Sequence, residues 1–268
     1  MRYRLLEADE PTPVLEARLD GQSSFVIAVD HAGRRIPRRL GKLGLPVSEL
    51  ERHTAWDIGA LGIATIVSAL LDAPLVAQEY SRLVIDCNRT PGSETSIPTM
   101  AELVEVPGNA RLTPEEVAAR RAEIFDPYHG RLRSILSQRQ SSRRPTFLVT
   151  QHTMTPELKG SRREMHAAVL YDRDRRFAAL VLEMLRRNKG LLIAENEPYL
   201  VQLTHYTVPH HAEASGLPYV EIEVRQDLVA DQTGQAEWAH RIATALLAAE
   251  QVYTGRHAPR RGGAQTPL

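Results

Sequence analysis

Cysteine is almost absent from this sequence. Cys87 is the only one among 268 residues, so no disulfide can form within the chain and a reducing compartment is the simplest setting. The opening residues, MRYRLLEADEP, are charged and lack the apolar core of a secretory signal. No apolar run approaches the length of a transmembrane helix. We therefore expect a cytoplasmic protein that does not bind membranes.

The sequence also has no excess of charge of either sign. Lys and Arg together number 33, and Asp and Glu together also number 33, which gives a net charge of +0. A neutral chain gives no reason to expect nucleic acid or an anionic membrane as a partner. The composition, 43% hydrophobic and 25% charged, is that of an ordinary soluble globular protein. What the sequence does contain is ten histidines, which directs attention to metal and proton chemistry.

Motifs that bind nucleotides are absent as well. No G-x-G-x-x-G or P-loop stands where a strand meets a helix, and no internal repeat or linker divides the chain. Strand-like and helix-like runs alternate, which predicts one α/β domain with a largely parallel or mixed sheet over residues 1–253. Residues 254–268 are predicted to form a disordered tail. The oligomeric state is not indicated.

Two predicted strands each end in a histidine. Residues 24–29 form an apolar run that leads to His31, and residues 146–150 form another that leads to His152. Open α/β sheets bind their ligands at the carboxyl ends of strands. His31 alone is as compatible with capping a turn as with binding a metal. The repetition of the pattern at His152 favours the metal.

A carboxylate completes a possible ligand set. Asp57 stands near the start of a predicted helix, residues 61–71, where it is either a cap or a metal ligand. If it converges with His31 and His152, two imidazoles and one carboxylate leave the fourth position open, as in hydrolytic zinc sites. We expect one Zn²⁺ per chain, although cobalt, manganese or iron would fit the same ligands.

A short stretch, residues 80–89, carries two arginines. Its apolar centre, residues 83–85, is predicted to be a strand entering the core. Arg82 and Arg89 flank that centre, and Asn88 stands beside the second arginine. A guanidinium matches a carboxylate with two parallel hydrogen bonds, so these residues could seat an anionic substrate. The alternative is that both arginines pair with surface carboxylates.

The last predicted strand, residues 216–228, carries an unusual charged stripe. Alternation places Tyr219, Glu221, Glu223 and Arg225 on one face. Charged residues in such a strand are at an edge, paired with each other, or functional.

These residues suffice for metal-assisted hydrolysis of an amide. A general base must take a proton from water and pass it to the leaving amine, and Glu223 suits that role. Arg82 is the candidate for stabilising the oxyanion. Asn88 and Arg89 would hold the substrate's carboxylate and position its amide over the metal.

The remaining chain supplies the scaffold and one long loop. Residues 90–110 are rich in Pro, Gly, Ser and Thr, which is typical of a lid or substrate loop. Thr113 begins a capping box, and the helix after it is predicted to run to about Ser137 with a bend at Pro127. The histidine-rich residues 204–211 are interpreted as a surface loop rather than a metal site. Further strands are predicted at 75–78, 166–171 and 191–194, and further helices at 175–188 and 235–251.

The chain resembles the N-formylglutamate amidohydrolase (N-formylglutamate deformylase) family. The segments that carry the resemblance occur in the expected order along most of the chain: Asp30-His31-Ala32-Gly33 with Ile36-Pro37, Trp56-Asp57, Arg82 through Arg89, Gln151-His152-Thr153-Met154, and Leu217-Pro218 through Glu223 to Asp227-Leu228. The family is similar to zinc carboxypeptidases and aspartoacylase. This similarity implies a single-domain, three-layer α/β sandwich around a mixed, largely parallel sheet.

The resemblance also implies roles for particular residues. Asn88-Arg89 matches the Asn-Arg pair with which such enzymes hold a substrate carboxylate, and Glu223 corresponds to a late glutamate that acts as the general base. The H-x-x-E ligand pair of carboxypeptidases would need Glu at Arg34, so Asp57 is the expected carboxylate ligand.

The expected function is zinc-dependent hydrolysis of the amide of an N-acyl acidic amino acid. The implied substrate is N-formyl-L-glutamate, cleaved to formate and L-glutamate as the last step of one histidine degradation route. Two alternatives remain open. The enzyme could act on another N-acyl amino acid or a small peptide, or the chain could be a non-catalytic binder of a small carboxylate ligand.

Overall fold

A seven-stranded mixed sheet forms the centre of the protein. The computed structural model describes residues 3–158, 160–201 and 205–257. The strands of this sheet are β1 (Val14–Ala17), β2 (Phe25–Val29), β3 (Leu75–Gln78), β4 (Phe147–Met154), β5 (Ala167–Leu170), β6 (Ile193–Glu195) and β7 (Tyr219–Arg225). Two small hairpins lie outside it, formed by Met100–Ala101 with Val104–Glu105 and by Glu157–Leu158 with Ser161–Arg162.

The strand order, β1-β3-β2-β4-β7-β5-β6, places four parallel strands next to each other. β3, β2, β4 and β7 pair in parallel, so their carboxyl ends lie at one edge of the sheet. β1 pairs with β3 and β5 with β7 in the antiparallel sense, and β6 runs parallel to β5. This confirms the predicted mixed, largely parallel α/β sheet.

Helices cover both faces of the sheet. The α-helices are α1 (Val47–Leu50), α2 (Ala60–Leu71), α3 (Pro114–Arg120), α4 (Asp126–Ser141), α5 (Arg176–Arg186), α6 (Thr207–His211) and α7 (Gln232–His257). α2, α5 and α7 pack on one face, where Phe25 and Ile27 are buried with Phe177 and Trp238. The alternate residues of β2 face the other core, which α4 helps to cover.

The long predicted helix is continuous but changes its winding. Thr113 caps it as predicted, accepting from the Glu116 backbone N–H while the Glu116 side chain accepts from the backbone N–H of Thr113. Residues Arg121–Phe125 form a turn of π-helix between α3 and α4 and end two residues before Pro127. Proline lacks the N–H that a regular helix would need there, and the wider turn before it accommodates the missing hydrogen bond. The bend at Pro127 stays a prediction.

Two local predictions were wrong. Residues 83–85 form turns instead of a strand, because their backbone groups bond to side chains: the Leu83 carbonyl accepts from Asn109 and the Val84 carbonyl from Arg120. The histidine-rich segment is not simply a surface loop, since it includes α6 and the buried His211. Residues 202–204 at its start lie outside the described residues.

The ends of the chain differ in part from expectation. α7 continues through residues 254–257, which were assigned to a disordered tail. The rest of that segment, residues 258–268, lies outside the described part of the chain. Among the described residues, no helix combines the length and apolar character needed to cross a membrane.

Candidate active site

The predicted site residues meet at the carboxyl ends of the parallel strands. His31 follows β2 immediately after Asp30, while His152 lies within β4 and pairs in register with Glu223 of β7. The turn after His31 passes against the exit of β3, where a Cβ on Gly33 would lie 1.8 Å from the Glu79 carbonyl oxygen. Only glycine allows this close approach, which explains the Gly in the predicted motif.

His31, Asp57 and His152 form a buried group able to hold a metal ion. One ligand atom from each lies within 4.8 Å of the others. Asp57 Oδ2 lies 3.0 Å from His152 Nδ1 and 3.4 Å from His31 Nδ1. Two ligands at ~2.1 Å from a tetrahedral metal lie about 3.4 Å apart, so this spacing suits such an ion. The donor set, two imidazoles and a carboxylate, also fits zinc.

A second carboxylate lies beside Nε2 of each imidazole, on the side of the ring away from Asp57. His31 Nε2 lies 2.7 Å from Asp86 Oδ1. His152 Nε2 lies 3.2 Å from Asp30 Oδ2, although this pair lacks hydrogen-bond alignment. Both rings thereby turn Nδ1 toward Asp57. Carboxylates behind ligating histidines are a general feature of metal sites, where they fix ring orientation and raise ligand basicity.

The network extends to Asn88 and helix α6. The Thr207 hydroxyl donates to Asp30 Oδ1 at 2.6 Å. Asn88 Oδ1 accepts from the backbone N–H groups of Tyr206 and Thr207 at 2.9 and 3.0 Å. The backbone N–H of Asn88 donates to Asp86 Oδ1. The start of α6 is therefore tied to both carboxylates that support the imidazoles.

Arg82 bridges two of the buried carboxylates. It donates to Asp86 Oδ2 through Nε at 3.1 Å and Nη2 at 2.8 Å, and to Asp57 Oδ1 through Nη1 at 3.3 Å. Burial alone would lower the pKa of Arg82, but Asp86 and Asp57 outweigh it and raise the pKa above its usual value. Arg82 is thus a permanent cation that fixes the positions of both acids.

The two imidazoles and the carboxylates shift each other's pKa values in opposite directions. Burial opposes the charged form of His152, yet Asp30 and Asp57 raise its pKa well above the ordinary value. Burial likewise opposes ionisation of Asp57, and His31 and His152 still lower its pKa. Without a metal, the site therefore favours anionic carboxylates facing protonated imidazoles. A bound metal ion would replace the imidazole protons as the cation that these carboxylates face.

Glu223 stands beside this group as an incompletely bonded acid. It is 5% exposed, and its Oε2 has no hydrogen-bond partner among the described residues. Burial raises its pKa to about 8, His152 opposes that rise, and Asp57 and Glu221 add to it. The neighbouring Glu221 differs, because it pairs with His205 at 2.8 Å and accepts from Thr150. The charged stripe thus lies on a central strand rather than at an edge.

The two residues predicted to bind substrate differ in their surroundings. Asn88 is buried, and since its Oδ1 accepts two backbone N–H groups, its amide nitrogen is the group left to donate to a ligand. Arg89 is partly exposed and donates one hydrogen bond to the Asn88 carbonyl. Among the described residues, neither the Asn88 side chain nor the Arg89 side chain bonds to a carboxylate, so their substrate role stays a prediction.

Sequence reasoning missed the supporting residues Asp30, Asp86 and Thr207 as well as a buried histidine pair. His129 Nε2 lies 2.7 Å from the Cys87 carbonyl oxygen, and His129 Nδ1 lies 2.9 Å from His211 Nε2. Asp30 and Asp86 adjoin predicted site residues along the chain, so a closer reading of both motifs could have found them.

Comparison with known proteins points in one direction. A sequence profile described as N-formylglutamate amidohydrolase matches residues 23–230. A gene product of known structure from Agrobacterium tumefaciens is 34% identical, with a TM-score of 0.90 over 94% of this chain and 100% of that one. The N-formylglutamate amidohydrolase of Ralstonia eutropha shares the fold at 20% identity, with a TM-score of 0.72 over 91% and 100% of the two chains. No curated protein sequence gave a significant match. The similarity to zinc carboxypeptidases stays a prediction.

Proposed function

Because the chain belongs to the N-formylglutamate amidohydrolase family, we propose that it hydrolyses the amide bond of an N-acyl acidic amino acid. The substrate we infer is N-formyl-L-glutamate, and the products are formate and L-glutamate. The observation that carries this proposal is the buried His31–Asp57–His152 group with the underbonded Glu223 beside it.

His31, Asp57 and His152 would hold a divalent metal, which we take to be zinc. When bound, such an ion lowers the pKa of water and polarises a carbonyl group. Asp86 and Asp30 would keep the two imidazoles aimed at it.

Glu223 would move the proton. The oxygen of water adds to the formyl carbon while Glu223 takes the proton from that water. Glu223 then gives the proton to the amide nitrogen as the C–N bond breaks, which yields the free amine and formate. The unpartnered Oε2 of the buried Glu223 is placed to accept and return this proton, and the charge of a bound cation would favour the ionised form that a base needs.

Arg82 would stabilise the negative charge that develops on the formyl oxygen. Its guanidinium carries five N–H donors, and three of them bond to Asp57 and Asp86. Two N–H groups remain for an oxyanion. Asn88, through its amide nitrogen, and Arg89 would hold a substrate carboxylate.

The test combines metal content with turnover. We expect about one zinc per chain by mass spectrometry, lost in the His31→Ala/His152→Ala double variant and kept in His240→Ala, a control for an exposed histidine on α7. Glu223→Gln should keep the metal and lose about 10²- to 10⁴-fold in kcat on N-formyl-L-glutamate.

Other outcomes would redirect the proposal. Retained metal with no turnover on any N-acyl acidic amino acid would favour a non-catalytic binder of small carboxylates. Turnover of other N-acyl amino acids or small peptides, but not of N-formyl-L-glutamate, would keep the amidase and change its substrate. Protein that stays free of metal after incubation with zinc would contradict the mechanism.

A further inference from the structure

A buried arginine without a carboxylate partner lies beside the ends of the strands that carry His152 and Glu223. Arg163 is 6% exposed and follows the hairpin formed by Glu157–Leu158 and Ser161–Arg162. Its Nη1 donates to the Thr155 carbonyl at 3.1 Å, and its Nη2 donates to the Tyr199 hydroxyl at 2.8 Å. The guanidinium also stacks over the Tyr199 ring at 5.1 Å. Among the described residues, no acid forms an ion pair with it.

Burial of an uncompensated charge is costly. Arg163 uses only two of its five N–H donors in these hydrogen bonds, so several remain for a ligand. Two other buried arginines, Arg120 and Arg139, also lack an acid, but each donates to three oxygens of neighbouring loops. Arg163 therefore has the largest unused donor capacity of the three.

The position of Arg163 connects it to the catalytic strands. Its carbonyl accepts from Arg225 Nη1 at 3.0 Å, and Arg225 lies two residues beyond Glu223 on the same face of β7. Its other partner, Thr155, directly follows β4, the strand of His152. Arg163 is thus fixed by its main chain and its side chain to the sheet edge where the site lies.

Tyr199 is the side chain that the Arg163 guanidinium both bonds to and stacks on. Burial raises its pKa, Glu223 raises it further, and Arg163 and Arg82 lower it, so all three charges act on one phenol. Since the hydroxyl oxygen accepts from Arg163, the hydroxyl proton is available for another acceptor. Arg163 and Tyr199 together present donors only, which is what a carboxylate requires.

We propose that Arg163 and Tyr199 bind the side-chain carboxylate of the substrate and so select N-acyl amino acids with an acidic side chain. This inference rests on the proposed function, in which Asn88 and Arg89 hold one carboxylate only. An N-acyl glutamate carries two, and the second needs its own cation. Arg163 supplies that cation, and Tyr199 adds a hydrogen bond and orients the guanidinium.

The test compares two substrates that differ in one group. N-formyl-L-glutamine replaces the side-chain carboxylate of N-formyl-L-glutamate by a neutral amide. For metal-loaded Arg163→Gln, kcat/KM on the glutamate substrate should fall about 10- to 100-fold, the range expected for charge-assisted hydrogen bonds. On the glutamine substrate it should change less than about 3-fold, because a neutral amide makes no charge-assisted bond there.

Two further variants separate binding from folding. Arg162→Gln removes the adjacent but exposed arginine and should alter neither substrate. Tyr199→Phe keeps the ring under the guanidinium and removes only the hydroxyl, so it should show the same substrate preference with a smaller loss. Thermal unfolding of each variant reports whether the fold is retained. If Arg163→Gln unfolds, the test rests on Tyr199→Phe. An equal loss of kcat/KM on both substrates overturns the proposal.

Binding by calorimetry distinguishes this proposal from the proposed function. Wild-type metal-loaded protein should bind L-glutamate more tightly than L-glutamine, and Arg163→Gln should remove the difference. If the wild type hydrolyses N-formyl-L-glutamate and Arg163→Gln affects both substrates equally, the function stands and this inference is wrong. If there is no hydrolysis but binding of L-glutamate depends on Arg163, the carboxylate-binding site formed by Arg163 and Tyr199 is supported and the proposed function is wrong. Equal binding of both amino acids by the wild type also overturns the inference.

Discussion

Acidification from pH 7 to pH 5 should destabilise the protein through the buried pair His129 and His211. The Cys87 carbonyl can only accept, so His129 Nε2 must carry a proton, and neutral His129 then accepts at Nδ1 from His211 Nε2–H. A second proton on His129 would break this bond. Burial lowers the pKa of His129 to about 4, and burial with the nearby His129 lowers that of His211 to about 3.

The sign and size follow from proton linkage. In the unfolded chain both histidines have a pKa of about 6.5, so below that pH the unfolded state binds protons that the folded state excludes. The stabilising contribution is complete above pH ~6.5 and is lost as the pH falls toward the folded values. From pH 7 to pH 5 the loss is about 2 kcal/mol for each histidine, or about 4 kcal/mol for the pair.

The variant His211→Gln isolates one half of this effect. Glutamine keeps a donor near the Nε2 position and cannot titrate. His31 and His152, whose pKa values are raised, titrate with the opposite sign but equally in both proteins. The free energy of unfolding can be measured by urea unfolding, followed by circular dichroism, at pH 5, 6 and 7. Its decrease from pH 7 to pH 5 should be about 2 kcal/mol smaller in His211→Gln than in the wild type.

His240→Gln is the matched control, because His240 is exposed on α7 and, among the described residues, bonds to the Ala236 carbonyl of its own helix alone. It should unfold with the pH dependence of the wild type. If His211→Gln also retains the full wild-type pH dependence, the pair does not exclude protons in the folded state and the reasoning fails.

Two further predictions concern the site itself. Thr207→Val removes the hydroxyl that bonds Asp30 while keeping the side-chain shape. Zinc affinity, measured by competition with a chelating dye, should therefore fall about 10-fold. An unchanged affinity would show that Thr207 does not position Asp30. Arg89→Ala should raise KM about 10- to 100-fold for acidic substrates but far less for uncharged N-formyl amino acids in steady-state assays; equal effects would rule out its carboxylate role.

Much of the architecture could be predicted from local sequence. Apolar runs identified β2, β3 and β7, and the alternation of β7 placed Glu223 on the face opposite Ile222. The capping box located the start of α3. These signals are local, because each depends on residues a few positions apart, and so they can be found without knowing the fold.

Features that depend on distant partners could not be predicted. β4 continues past residue 150 through His152, because the polar end of the strand pairs with β7. Residues 83–85 have a strand-like composition, but they are buried under side chains from Asn109 and Arg120 that satisfy their carbonyls. The bond between His31 and Asp86 joins residues 55 positions apart, so local sequence can mark both residues as candidates but cannot show that they pair.

The register of β4 and β7 also bears on how specificity could change during evolution or by engineering. His152 and Glu223 lie opposite each other on adjacent central strands, so the backbone itself sets the distance between the proposed metal ligand and the proposed base. Arg89, Arg163 and Tyr199 lie instead in connecting segments. Loops tolerate substitution and insertion better than central strands. Recognition of a different acyl amino acid could therefore be acquired by substitutions at Arg163 and Tyr199, while the His152–Glu223 pair on the central strands is inherited unchanged.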